Sequence, residues 1–66
     1  MVVMRIRELR EQAGLSQYAL AKMMGVKHPS VNQWENGRAY PTADKLPLLA
    51  SCLHCEIDEL YQKDSA

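Results

Sequence analysis

Residues 15–37, LSQYALAKMMGVKHPSVNQWENG, set two short amphipathic segments on either side of one glycine. That pattern leaves few folds open. A helix this short is not stable by itself, so it must bury its apolar face against a neighbour. A tight turn at Gly25 makes each helix the other's neighbour. The residue types fit this geometry. Leu15 and Leu20 flank Ser16 at the N′ and N4 positions of a helix start, a hydrophobic staple around a Ser N-cap. Ala21 is small enough for a close crossing. Gly25 ends the first helix where a residue with positive φ is needed. Val26, Val31 and Trp34 give the second helix an apolar face, and Asn36-Gly37 closes the unit with turn chemistry.

The flanking sequence extends the helical reading. A first helix is expected over about Val3–Ala13, with Ile6, Leu9 and Ala13 on one stripe and Gly14 as its stop. The second is Gln17–Met24. The third is about Pro29–Glu35, with His28 as N-cap and Pro29 at N1, because the residue before proline is driven out of the α region. NGRAYP (residues 36–41) reads as a loop. Thr42 is expected to cap a fourth helix running to about Leu53, and a short fifth spans about Ile57–Tyr61. The polar tail 62–66 is expected to fray. No strand pattern and no repeat is present.

At 66 residues there is room for one domain, 1–66, with its paired-helix unit at about 16–36. A core this small is marginal, so tight packing or a dimer is needed. With no Phe, Trp34 and the four Met residues carry more of the filling. No apolar run is long enough for a membrane. Arg5 and Arg7 come too early for a signal-peptide core, so a cytoplasmic location is expected.

The formal net charge is zero, which argues against a nucleic-acid partner until its distribution is read. Residues 1–40 carry six Lys and Arg against three Glu, whereas residues 41–66 carry two Lys against five Asp and Glu. A charge-balanced chain of this kind can still turn a positive face to phosphate. Ordinary solvated charges are the alternative. His28, Ser30, Asn32 and Gln33 leave the outer face of the third helix polar and uncharged, a chemistry that suits base edges.

Taken together, Leu15-Ser16-Gln17, Leu20-Ala21, Gly25-Val26, Val31 and Trp34-Glu35-Asn36-Gly37 resemble the Cro/C1-type helix-turn-helix family of lambdoid phage repressors and their bacterial relatives. The resemblance extends to Arg10 on one side and to LPLLASCLHC (Leu46–Cys55) on the other, nearly the whole chain. It implies an all-α, five-helix, lambda-repressor-like DNA-binding domain. Similar repressors tolerate proline at the place of Pro47, so helix four is expected to run through it. His54 falls where relatives often have a Gly C-cap.

The resemblance also implies roles. Lys27, His28, Pro29, Ser30 and Gln33 match groove-reaching positions. Gln can read adenine, Lys can donate to guanine, and His can do either; Pro29 offers only its ring to a thymine methyl. A solvated helix face is the alternative for the polar ones. Gln17, Asn36 and Arg38 match phosphate contacts, with Gln17 at a helix start also bracing the third helix. Arg10 and Glu35 match an ion pair that ties helix one to helix three, as against two independent surface charges. The implied partner is double-stranded DNA, at a palindromic operator bound by a homodimer. Leu53, Ile57, Leu60 and Tyr61 are the apolar residues available for a twofold mate, some of which must cover the core. The runner-up is a protein-interaction module such as an antitoxin-like partner.

Cys52 and Cys55 form a C-x-x-C beside His54. A zinc site needs four ligands, and His28 lies on another element. A redox motif needs a strand-to-helix context that is missing. Apolar packing at the end of helix four is the expected role, with no metal and no cofactor. No Ser/His/Asp set, phosphate-binding Gly loop or paired carboxylates appears, so no enzyme is expected.

Overall fold

A computed structural model describes residues 4–61. It contains four α-helices: α1 (Ile6–Gln12), α2 (Gln17–Met24), α3 (His28–Glu35) and α4 (Leu46–Cys52). Two 3-10 turns, Ala43–Lys45 and Ile57–Leu60, complete the layout. The fold is all-α, and the fifth expected helix is one of these 3-10 turns. The tail 62–66 and the expected helix start at Val3 lie outside the described residues.

Three boundaries differ from the sequence reading. First, Met4 and Arg5 are not helical. Met4 forms an isolated antiparallel bridge with Tyr61, and the Arg5 amide donates to the Leu60 carbonyl at 2.6 Å. The two ends of the described segment are thus laced together before α1 begins, a contact over more than 50 residues that no local pattern signals. Second, α3 begins at His28, with Lys27 as the extended N-cap (ψ 151°) and Pro29 in the first turn. The first amides of a helix have no intrahelical acceptor, so proline loses no hydrogen bond there. Third, Pro47 divides the expected fourth helix. Its nitrogen cannot donate to Ala43, so the Leu46 amide donates there instead, closing a 3-10 turn before α4 starts. The Thr42 side chain caps neither piece.

The helix ends share one device. Beyond α1, α2, α3 and α4 stand Gly14, Gly25, Gly37 and His54, at φ of 73°, 70°, 74° and 55°. In each case the next amide returns to a carbonyl five residues earlier: Leu15 to Arg10, Val26 to Ala21, Arg38 to Gln33 and Cys55 to Ala50. This left-handed stop satisfies carbonyls that a helix end leaves open. A Cβ on Gly25 would meet nothing within 4 Å, so φ rather than space demands glycine there. His54 carries the strain that the three glycines avoid. We expect His54→Gly to stabilise the domain by about 0.5–1 kcal/mol and raise its Tm by roughly 5 °C in a circular dichroism melt. An unchanged or lower Tm would contradict this account.

The core gathers the apolar faces of the four α-helices and of the 3-10 turn Ile57–Leu60. Ile6, Leu20, Val31, Leu49 and Leu60 are fully buried, surrounded by Met4, Leu9, Ala21, Met24, Trp34, Ala50, Cys52 and Leu53. Leu15, Val26 and Tyr61 pack on its edge. Full burial of each such Leu, Ile or Val side chain stabilises by about 1.5–3 kcal/mol before entropy is counted. Ser16 caps α2 as expected, its Oγ accepting from the Ala19 amide at 3.0 Å. No helix among the described residues is long and apolar enough to cross a membrane.

Candidate nucleic-acid interface

One buried carboxylate organises this face. The Glu35 side chain, at the end of α3, is 0% exposed. It accepts from Arg10 Nε at 2.6 Å and Nη2 at 3.3 Å, from Arg7 Nε at 3.3 Å and from Gln17 Nε2 at 2.9 Å. Arg10 also donates from Nη1 to the Leu15 carbonyl at 2.7 Å. Glu35 therefore clamps α1, the start of α2 and α3 together. Burial pushes its carboxyl pKa up, but the hydrogen bonds from Arg10, Gln17 and Arg7 outweigh this and hold it below the ordinary value.

Gln17 passes the order onward. Its Oε1 accepts from His28 Nε2 at 2.9 Å, and the His28 ring lies on the Tyr18 ring, centroids 4.0 Å apart and nearly parallel. So the first residue of α3 is pinned from α2, and its last residue is pinned from α1 and α2. Gln17, expected to touch phosphate and brace α3, has one N–H on Glu35, leaving the other to point elsewhere.

Between these pins, α3 turns an uncharged face outward. Pro29, Asn32 and Gln33 are exposed, Ser30 is half-buried, and Lys27 stands exposed just before the helix. Arg38 is exposed beyond the helix, as is Asn36, whose Nδ2 donates to Asn32 Oδ1. Val31 and Trp34 occupy the opposite, buried face.

Two residues that build this face, Tyr18 and Arg7, were not singled out from the sequence. Tyr18 is 70% exposed beside Gln17 and backs His28. Asn32 shares the outward face with Gln33. Arg7 gives Glu35 a second guanidinium while remaining largely exposed. Asn32 was legible as part of a polar face; the Tyr18 and Arg7 contacts join separate helices and leave no spacing to read.

The four apolar residues considered for a mate divide. Leu53 is 4% exposed and Leu60 is 0% exposed, so both belong to the core and offer nothing to a partner. The 3-10 turn at Ile57–Leu60, held by reciprocal Glu56 and Glu59 caps, points Leu60 inward and leaves Ile57 outward. Tyr61 is half-buried, and Leu48, on α4, is exposed. Cys52 is buried and Cys55 half-buried, and burial raises both thiols away from the reactive thiolate.

Residues 6–60 match the helix-turn-helix family. Repressor protein C2 of Salmonella phage P22 is 37% identical over 60 residues, 91% of this chain and 28% of the relative. The transcriptional regulator DicA of Escherichia coli is 41% identical over 51 residues, 77% of this chain and 38% of the relative. The chain thus spans well under half the length of these curated relatives. The crystal structure of the P22 c2 repressor in complex with a synthetic operator superposes with a TM-score of 0.82 at 37% identity, over 91% of each chain.

Proposed function

Because this chain belongs to the helix-turn-helix family, we propose that it is a sequence-specific regulator of double-stranded DNA, a repressor that sets α3 in the major groove. One observation carries the reading: α3 is pinned at both ends by the Glu35–Gln17–His28 chain while its middle stays polar, uncharged and open. A helix held this firmly is suited to reading base edges, where small displacements destroy hydrogen-bond geometry. The P22 c2 repressor, which shares this fold, has been solved in complex with a synthetic operator, which supports double-stranded DNA as the partner.

In this reading Gln33, His28, Ser30 and Lys27 face the base edges, with Pro29 beside them. Gln17, Asn36 and Arg38 lie toward the phosphates on either side. One recognition helix meets too few base pairs for useful specificity, so two copies bind a palindrome about 34 Å apart, centre to centre. Ile57 and Tyr61 supply apolar contact to the mate, since Leu53 and Leu60 are committed to the core. The protein acts in the cytoplasm, without catalysis.

The experiment is selection of duplexes from a random pool, followed by a salt series and footprinting. Enrichment of a palindrome, protection of both half-sites and a steep loss of affinity with salt are expected. No enrichment together with no binding to random duplex would overturn the proposal and favour a protein-binding module. On the selected site, Gln33→Ala should weaken binding about tenfold, with little change on random DNA. Equal losses on both would remove Gln33 from base reading.

A further inference from the structure

The hydrogen-bond chain behind α3 determines where the proton of His28 sits. Glu35 is an ionised carboxylate and only accepts, so Gln17 must turn its amide nitrogen toward it, as it does at 2.9 Å. That orientation leaves Gln17 Oε1 facing His28 at 2.9 Å. An amide oxygen also only accepts, so His28 Nε2 must carry the hydrogen. A neutral imidazole has one N–H, so its Nδ1 is a bare acceptor. Tyr18 covers one face of the ring, and among the described residues Nδ1 has no hydrogen-bond partner and no buried polar atom is left orphaned.

Resting on the DNA-binding reading above, we propose that His28 is a specificity-determining residue that uses Nδ1 as an acceptor to select a base bearing an exocyclic amino group, adenine or cytosine, at the pair facing the start of α3. Adenine N6 and cytosine N4 donate in the major groove. Guanine and thymine present only acceptors and the thymine methyl there, and would oppose the Nδ1 lone pair. Histidine alone is ambivalent; Glu35, two residues removed along the chain of contacts, removes the ambivalence.

The test compares wild type with His28→Phe, which keeps a ring for Tyr18 but has no nitrogen. Both are used to select DNA from a random duplex pool at pH 8.5. Wild type should enrich one base pair, whose adenine or cytosine carries the exocyclic amino group, at one position of each half-site where His28→Phe shows no preference. Removing that amino group from the selected base, with purine in place of adenine or a 4-unsubstituted pyrimidinone in place of cytosine, should weaken wild type about tenfold and the variant less than about twofold. Nitrogen-15 spectra of the labelled imidazole should show the proton on Nε2. Identical preferences in both proteins, an unchanged wild-type affinity when that amino group is removed, or a proton on Nδ1 would each overturn the inference. Failure of wild type to enrich any duplex would instead overturn the DNA-binding reading itself.

Discussion

Glu35→Ala should leave most of the domain unfolded at 25 °C. The carboxylate has no solvent exposure, and the Arg10 side chain against it is only 12% exposed. Removing one partner strands the other charge in the interior, a loss of about 3–5 kcal/mol. A core of this size supplies a net stability of about 3–5 kcal/mol, so the two are comparable. Gln17 loses its acceptor in the same step, and with it the orientation of His28. A urea titration followed by circular dichroism checks this. A loss below about 1 kcal/mol would show that the pair behaves as an exposed one. Acid should act on the same group. Its pKa in the folded protein lies below the ordinary value of 4.5. Its contribution is therefore complete above that value and is lost as the pH falls through the lower folded value. The wild-type domain should accordingly lose stability in acid below about pH 4.5, which a melt at stepwise lower pH would read.

Ala21→Leu should be the next most damaging change, costing about 3 kcal/mol. Ala21 is 4% exposed on the buried face of α2, the helix most closely packed on α3, and belongs to the same cluster as Val31 and Trp34. Three further carbon atoms at so buried a position force the helices packed on α2 apart. The pins at Gln17–Glu35 and Gln17–His28 resist that displacement. Affinity for the selected operator should therefore fall even in any fraction that stays folded. Thermal melts and operator titrations check the two effects. Unchanged values for both would mean that α2 and α3 do not cross closely at this residue.

The predicted limits of α2 coincide with the observed ones, residue for residue, because a Ser cap and a glycine stop are local devices. The glycine stops of α1 and α3 were legible for the same reason, and so was the strained histidine after α4, though only by comparison with a family pattern. Where proline met two local rules, the outcome was a matter of degree. At Pro29 the helix extended one residue earlier than expected, and at Pro47 it gave way to a 3-10 turn. Both were visible as residues, but not as outcomes, because nearby backbone groups can accommodate proline in more than one way.

By itself, then, the sequence determined that this chain is all-helical, where its helix-turn-helix begins and ends, and which face of α3 is polar. Those properties depend on backbone sterics, caps and a 3.6-residue period, all of which act within a few positions. Only the tertiary structure decided that Leu53 and Leu60 turn inward while Ile57 stays out, and that Met4 and Arg5 join the Leu60–Tyr61 segment instead of lengthening α1. It alone joined Glu35 to Gln17 and Gln17 to His28, across separations of 18 and 11 residues. Such contacts have no sequence period. They arise when separate helices pack, and a helix of seven or eight residues carries too short a stripe to announce which partner will cover it.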